Sequence, residues 1–249
     1  MKGKKIMNLP KIETVTYELT VPSSNEIIKY RPFLVKEEKI LLMTKESENP
    51  DALEISVVIK QIVNNCILSD VNINDLATFD LEYIFINLRS KSVGNTIDLI
   101  YDHDCPNEET TENIPFIVNL DEVVVEDINP DSNIIKITDD VSIIMKYPDY
   151  DLIKDLYSNN EDNNKKIEDM EIVIRSIKYI TENDTKHLVA NYSTEEITEF
   201  LESLTSNQFK KIFSFFNTMP ATSYRTELKC EHCDFTHDAH LTGIVDFFV

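Results

Sequence analysis

Apolar and polar positions alternate along Val15-Thr-Tyr-Glu-Leu-Thr-Val21, and the short run Glu26-Ile-Ile-Lys-Tyr30 follows after Pro22-Ser-Ser-Asn25. Two such runs around a Pro/Ser/Asn cluster predict a β-hairpin. Arg31-Pro32-Phe33 follows. Pro32 lacks an N–H and holds Arg31 extended, so a helix can start only after it. Val35 to Met43 consists of good helix formers without Gly or a further Pro. Within it, Ile40 to Met43 is an apolar block too wide for one amphipathic stripe. That predicts a short helix buried on several sides, a hub for other segments. Phe33 should be buried between hairpin and helices, and Arg31 should pair with an acidic group or cap carbonyls.

Helical periodicity continues from Asp51 to Cys66 and from Asp75 to Arg89, with Asp75 placed as an N-cap. At Asn95 the period changes to two. Thr96–Tyr101 and Ile114–Leu120 read as strands around an acidic loop, and Asp121–Asp127, Asn133–Ile137 and Val141–Met145 as shorter ones. Asp139-Asp140 is a hairpin turn between the last two. Pro148 ends this β region. Helices are then expected at Tyr150–Tyr157, Lys166–Ile180 and Thr205–Asn217, with a mobile polar loop at Ser158–Asn164. A capping box, Ser193-Thr-Glu-Glu196, opens a further helix. Ser223–Leu228 and Ala239–Phe248 bracket a Cys-x-x-Cys as a terminal hairpin. The fold class is therefore α+β. Its parts are an N-terminal arm and hairpin (1–32), a helical part (33–94), an antiparallel β region (95–147), a second helical part (148–220) and a C-terminal Cys hairpin (221–249). The two helical parts are expected to pack as one unit, and the hairpin to return to the β region.

Charge narrows the partners. Against 24 Lys and Arg stand 45 Asp and Glu, a formal net charge of −21. Such a chain is repelled by nucleic acid and by anionic membrane surfaces, so its partners should be proteins with basic or apolar patches. No apolar run approaches the ~20 residues of a membrane helix, and the start, though basic, has no apolar core of a secretory signal. Only 3 glycines occur, which excludes Gly-rich phosphate loops. The 4 cysteines are too few for a disulfide framework, which points to synthesis in a reducing cytoplasm.

The strongest chemical signal is Cys230-Glu-His-Cys233, in a turn between two strands. One Cys-x-x-Cys gives two thiolates, and a structural zinc site needs four ligands. Asp102-His-Asp-Cys105 lies in an analogous place, just after a strand. Cys105 with His103 could complete the set; Asp102 is a harder ligand. The alternatives are empty, reduced knuckles or, less well supported, a redox pair, because no βαβ-type helix follows. His232, His237 and His240 crowd the same hairpin as further possible ligands or as plain surface polar groups; His187 has no obvious partner. Asp102, Asp104, Glu108 and Glu109 read as a solvated acidic loop. No nucleophile elbow and no His-Glu-x-x-His occurs, so an enzyme has no anchor. Phe209, Phe213 and Phe216 share a core-facing stripe; Phe215 falls off it and is the docking candidate. Phe247-Phe248 make an apolar chain end that must be tucked in or bound by a partner.

The run LPKIETVTYELTVPSSNEIIKYRPFLVKEEKILLM, Leu9 to Met43, resembles the N-terminal signature of the baseplate hub and hub-assembly proteins of T-even-type contractile-tailed bacteriophages. The likeness is most specific in YRPFLVKEEKILLM, directly after a hairpin. A second shared feature is the tail, Cys230 and Cys233 followed by an apolar strand and Phe247-Phe248. The middle is similar only in pattern. The resemblance implies a second Cys-x-x-Cys at positions 102–105; here Asp stands at 102 and only Cys105 remains. It implies a non-enzymatic structural or assembly role in the virion tail baseplate, assembled in the host cytoplasm through binding to other tail and hub proteins. The alternatives are a transient tail-assembly chaperone and a zinc-ribbon module that binds a host protein.

Overall fold

A computed structural model describes residues 12–46, 52–106, 112–126, 128–129, 131–152, 165–183 and 185–247. The expected hairpin forms from β1 (Tyr17–Thr20) and β2 (Ile27–Tyr30), with Tyr17 opposite Tyr30. Asn25 closes its turn at φ 58°, a left-handed conformation that Asn tolerates. After Pro32 comes α1 (Val35–Glu46). It is not buried on several sides: Leu42 is 51% and Met43 73% exposed. The inward face carries Glu37, Ile40, Leu41 and Thr44, spaced by three and four, so half of the Ile40–Met43 block is left outside. The hub is the Arg31-Pro32-Phe33 corner itself. Phe33 is buried, and its N–H donates to Ser92 Oγ at 3.0 Å. Arg31 donates to Glu37 Oε1 at 3.1 Å and to the carbonyls of Pro32 and Asn65, both at 2.9 Å.

Two longer helices, α2 (Ala52–Cys66) and α3 (Thr78–Ser92), pack on this corner. Asp75 is not the N-cap of α3. It closes a 3-10 turn, Ile73–Asp75, capped by Asn72, and α3 begins after Ala77. Asp80 does the joining instead. Its carboxylate accepts from Ala77 N–H at 3.1 Å and from Ser23 N–H and Oγ at 2.9 and 2.6 Å, tying the hairpin turn to the start of α3. Ile28, Tyr30, Phe33, Ile62, Phe85 and Leu88 belong to the resulting core.

Strands β3 (Thr96–His103) and β4 (Glu112–Asn119) form a two-stranded hairpin. The next strand, β5 (Val124–Glu126), leaves its sequence neighbours and pairs with β10 (Ala221–Lys229), which pairs in turn with β11 (Thr236–Thr242). The C-terminal hairpin thus returns to the β region. Its last turn buries Phe247, whose carbonyl accepts from Arg89 at 2.7 Å.

A separate antiparallel sheet runs in order β6 (Ile134–Lys136), β7 (Val141–Met145), β8 (Ile177–Glu182) and β9 (Thr185–Leu188). Here the expected helix Lys166–Ile180 is corrected. Helix α4 (Lys165–Ser176) stops at Ser176, and Ile177 onward is strand. Helical spacing also fits Ile177 and Ile180, but Ile177-Lys-Tyr-Ile-Thr is rich in β-formers. The open edge of β7 captures it, with Lys146 N–H bonded to Ser176 O at the switch. Helices α5 (Thr194–Glu202) and α6 (Ser206–Asn217) start at the capping residues Ser193 and Thr205. They share a second core with Ile143, Met145 and Val173. The two helical parts bury into different cores. Between them Tyr147 packs edge-on against Phe79, with ring centroids 5.0 Å apart, and stacks on Phe215 at 5.5 Å. Residues 47–50, Glu108, Glu109, most of the Tyr150–Tyr157 helix, the Ser158–Asn164 loop and Phe248 lie outside the described residues. Among the described residues no helix is long and apolar enough to cross a membrane.

Candidate metal centre

The end of β3 and the turn between β10 and β11 meet. Alternation along β3 decides which groups arrive there: His103 and Cys105 point inward and are buried, whereas Asp102 and Asp104 point to solvent. Cys230 leaves β10 at the start of the knuckle, and its N–H donates to Phe235 O at 3.1 Å, closing the turn. Cys233 reaches back into the same space.

One ligand atom from each of His103, Cys105, Cys230 and Cys233 lies within 4.8 Å of all the others. Cys105 and Cys230, separated by 125 positions, have their sulfurs 3.8 Å apart. Two thiolates on a tetrahedron with bonds of about 2.3 Å lie about 3.8 Å apart, so this pair already has the required spacing. His103 Nε2 sits 3.2 Å from Cys233 Sγ. The backbone N–H of His232 donates to Cys230 Sγ at 3.3 Å, which fixes that sulfur within the knuckle. Phe235 stacks on the His103 ring, with centroids 3.9 Å apart, and fixes its plane. All the cysteines are free thiols. Three soft sulfurs and one imidazole suit zinc, and four protein ligands leave no position open for substrate.

Three of the other histidines are engaged in other contacts. His237 stacks on Tyr101 at 4.8 Å, His240 Nε2 is 2.9 Å from Ser223 Oγ, and His187 Nδ1 is 2.7 Å from the Tyr192 hydroxyl. Phe215 is corrected: it is 2% exposed and lies in the second core, so no docking surface is built on it. The apolar arc of α6 is wide, and Tyr147, which stacks on Phe215, decides which edge of that arc turns inward. Phe209, Phe213 and Phe216 are half-buried against the same core. Of the apolar chain end, Phe247 is tucked in.

A family model described as T4 bacteriophage base plate protein matches residues 14–249. The chain belongs to this family. Its role is that of a structural protein of the phage baseplate. No curated protein and no solved structure matches it. In this baseplate protein the matched stretch takes in both the Arg31-Pro32-Phe33 corner and the Cys–His cluster. The buried charge at that corner is a structural device. Burial alone would raise the Glu37 carboxyl, but bonds from Arg31, the Leu34 N–H and Lys36 outweigh it and hold the group below its usual range.

Proposed function

We propose that the protein is a non-enzymatic component or assembly factor of the central hub of a contractile tail baseplate, acting by binding other hub and tail proteins. The observation that carries this reading is the family match over nearly the whole chain, which includes the Tyr30-Arg-Pro-Phe33 corner. The formal charge of −21 supports protein partners with basic patches over nucleic acid. In this reading His103, Cys105, Cys230 and Cys233 hold one structural zinc ion. Bound there, zinc supplies a cross-link between the β3–β4 and β10–β11 hairpins, and no reaction.

Mass spectrometry of purified virions beside infected-cell lysate tests the role. Stoichiometric presence in virions is expected. Presence in assembly intermediates alone would make the protein a transient chaperone, and absence from both would overturn the baseplate reading. Co-expression with the other hub proteins and pull-down across a salt series should recover a heteromeric complex that weakens as salt rises.

A further inference from the structure

The β3–β4 hairpin has two faces of opposite character. Inward, Ile97, Ile114 and Val118 are buried, and His103 and Cys105 stand at its far end. Outward, the register sets Asp98 opposite Ile117, Ile100 opposite Pro115 and Asp102 opposite Asn113. Ile100 is 65% and Ile117 62% exposed. Two branched apolar side chains and a proline ring thus sit together at mid-ribbon, with an exposed carboxylate on either side along β3. A two-stranded ribbon is marginal by itself. This one is anchored on its inner face, by the first core at one end and by the Cys–His cluster at the other.

We propose that this outward face docks another protein whose contact surface has an apolar centre flanked by Lys or Arg, and that a metal ion in the Cys–His cluster holds the face in place. The proposal rests on the zinc site and protein-binding role given above. Charge selects the occupant. A second copy would bring Asp98 and Asp102 against their own equivalents on a chain of net charge −21, and nucleic acid would be repelled. A cation-rimmed apolar protein surface is complementary in both respects. Its apolar contacts supply the salt-resistant part of binding and the aspartates the salt-sensitive part.

The test uses the full chain co-expressed with the other baseplate proteins of the phage. A photo-crosslinking benzoylphenylalanine replaces Ile100, Ile117 or, as control, Val245, an exposed apolar residue in the C-terminal 3-10 turn. Positions 100 and 117 should trap the same baseplate protein and position 245 should not. Ile100→Asp with Ile117→Asp should cut recovery of that complex about tenfold or more, the order expected for interface anchors, with zinc content unchanged. Asp98→Lys with Asp102→Lys should weaken it at low salt and much less at high salt. If the isoleucine pair fails to fold, this exposed charge reversal still decides: an unaltered salt dependence overturns the proposal. Equal trapping at 245, trapping of a second copy, or a complex indifferent to the isoleucine pair also overturns it. Cys230→Ser should lose both zinc and trapping. One zinc per chain without trapping refutes docking and leaves the metal site standing. Trapping that survives loss of zinc refutes the metal's part alone, and absence from virions refutes the baseplate role alone.

Discussion

The N-terminal core and the Cys–His cluster both join segments that are distant in sequence, by different means. Around Phe33, the core draws on β2, α2, α3 and the C-terminal turn and buries many large side chains. Each fully buried aliphatic or aromatic side chain contributes about 1.5–3 kcal/mol, so burial suffices there. The buried members of the cluster are Cys105, Ile114, Leu228, Cys230 and Ala239, of which only Ile114 and Leu228 are large. Half-buried Tyr101, Phe116 and Phe235 pack against them, so the fully buried apolar set is small. In the proposed zinc reading the four side chains add the cross-link that this smaller core lacks.

The sharpest way to break this contrast is to deny the Cys–His cluster the proposed zinc. Structural zinc in finger peptides binds with an apparent ~10–16 kcal/mol. A strong chelator, or Cys230→Ser, should therefore abolish amide-exchange protection over the far ends of β3 and β4 and over residues 229–236. Protection in α2 and α3 should persist. Uniform loss across both regions, or none, would show that the two are not held differently. Elemental analysis before chelation should give close to one zinc per chain.

Phe33→Ala attacks the other region. A large buried aromatic truncated to Ala costs about 3–5 kcal/mol, read as a shift of the denaturant midpoint. Zinc content should stay the same. Unchanged stability would remove the Arg-Pro-Phe corner from its place as the hub.

A smaller effect comes from two acids of α3, the buried Asp80 and the half-buried Glu82. Burial raises both Asp80 and Glu82, against opposing bonds from Ser23 and Ala77 to the one and from Thr222 and Ile244 to the other. Folded, these groups bind protons more readily than in the unfolded chain, so their effect on stability improves as pH falls from above their folded values towards the unfolded ones near ~4. Glu37 runs the other way: its contribution is complete above its unfolded value and is lost as pH falls through its folded value. Glu82→Gln keeps an acceptor for Thr222 and removes one raised group. It should be more stable than the parent at pH 7 and should gain less on going to pH 5. Parallel urea midpoints for the two chains across that range would disprove it.

Thiol chemistry distinguishes the regions with the least disturbance. Burial pushes the Cys66 thiol up to about 11, against the nearby Arg31 guanidinium. Cys66 should resist iodoacetamide at pH 8 with or without chelator, because only the thiolate reacts. Cys105, Cys230 and Cys233 should become alkylated after chelation. Equal labelling of Cys66 would mean that the first core opens as easily as the cluster.

What the sequence determined by itself was local. The hairpin, the start of α1 after Pro32, the cap at Ser193 and the candidate set His103, Cys105, Cys230 and Cys233 were all legible there. Each rests on alternation, on a proline's missing N–H, on a side chain bonding three residues ahead, or on the donor chemistry of Cys and His. Tertiary structure decided the rest. Ile177 to Ile180 fits a helical stripe and a strand equally well until the edge of β7 is present. Asp75 is a plausible N-cap until Asp80 is given Ser23 to hold. Phe215 looks outward on a helical wheel until Tyr147 stacks on it. The pairing of β5 with β10, and with it the approach of Cys105 to Cys230, depends on contacts across about half the chain, and no local pattern encodes such a distance.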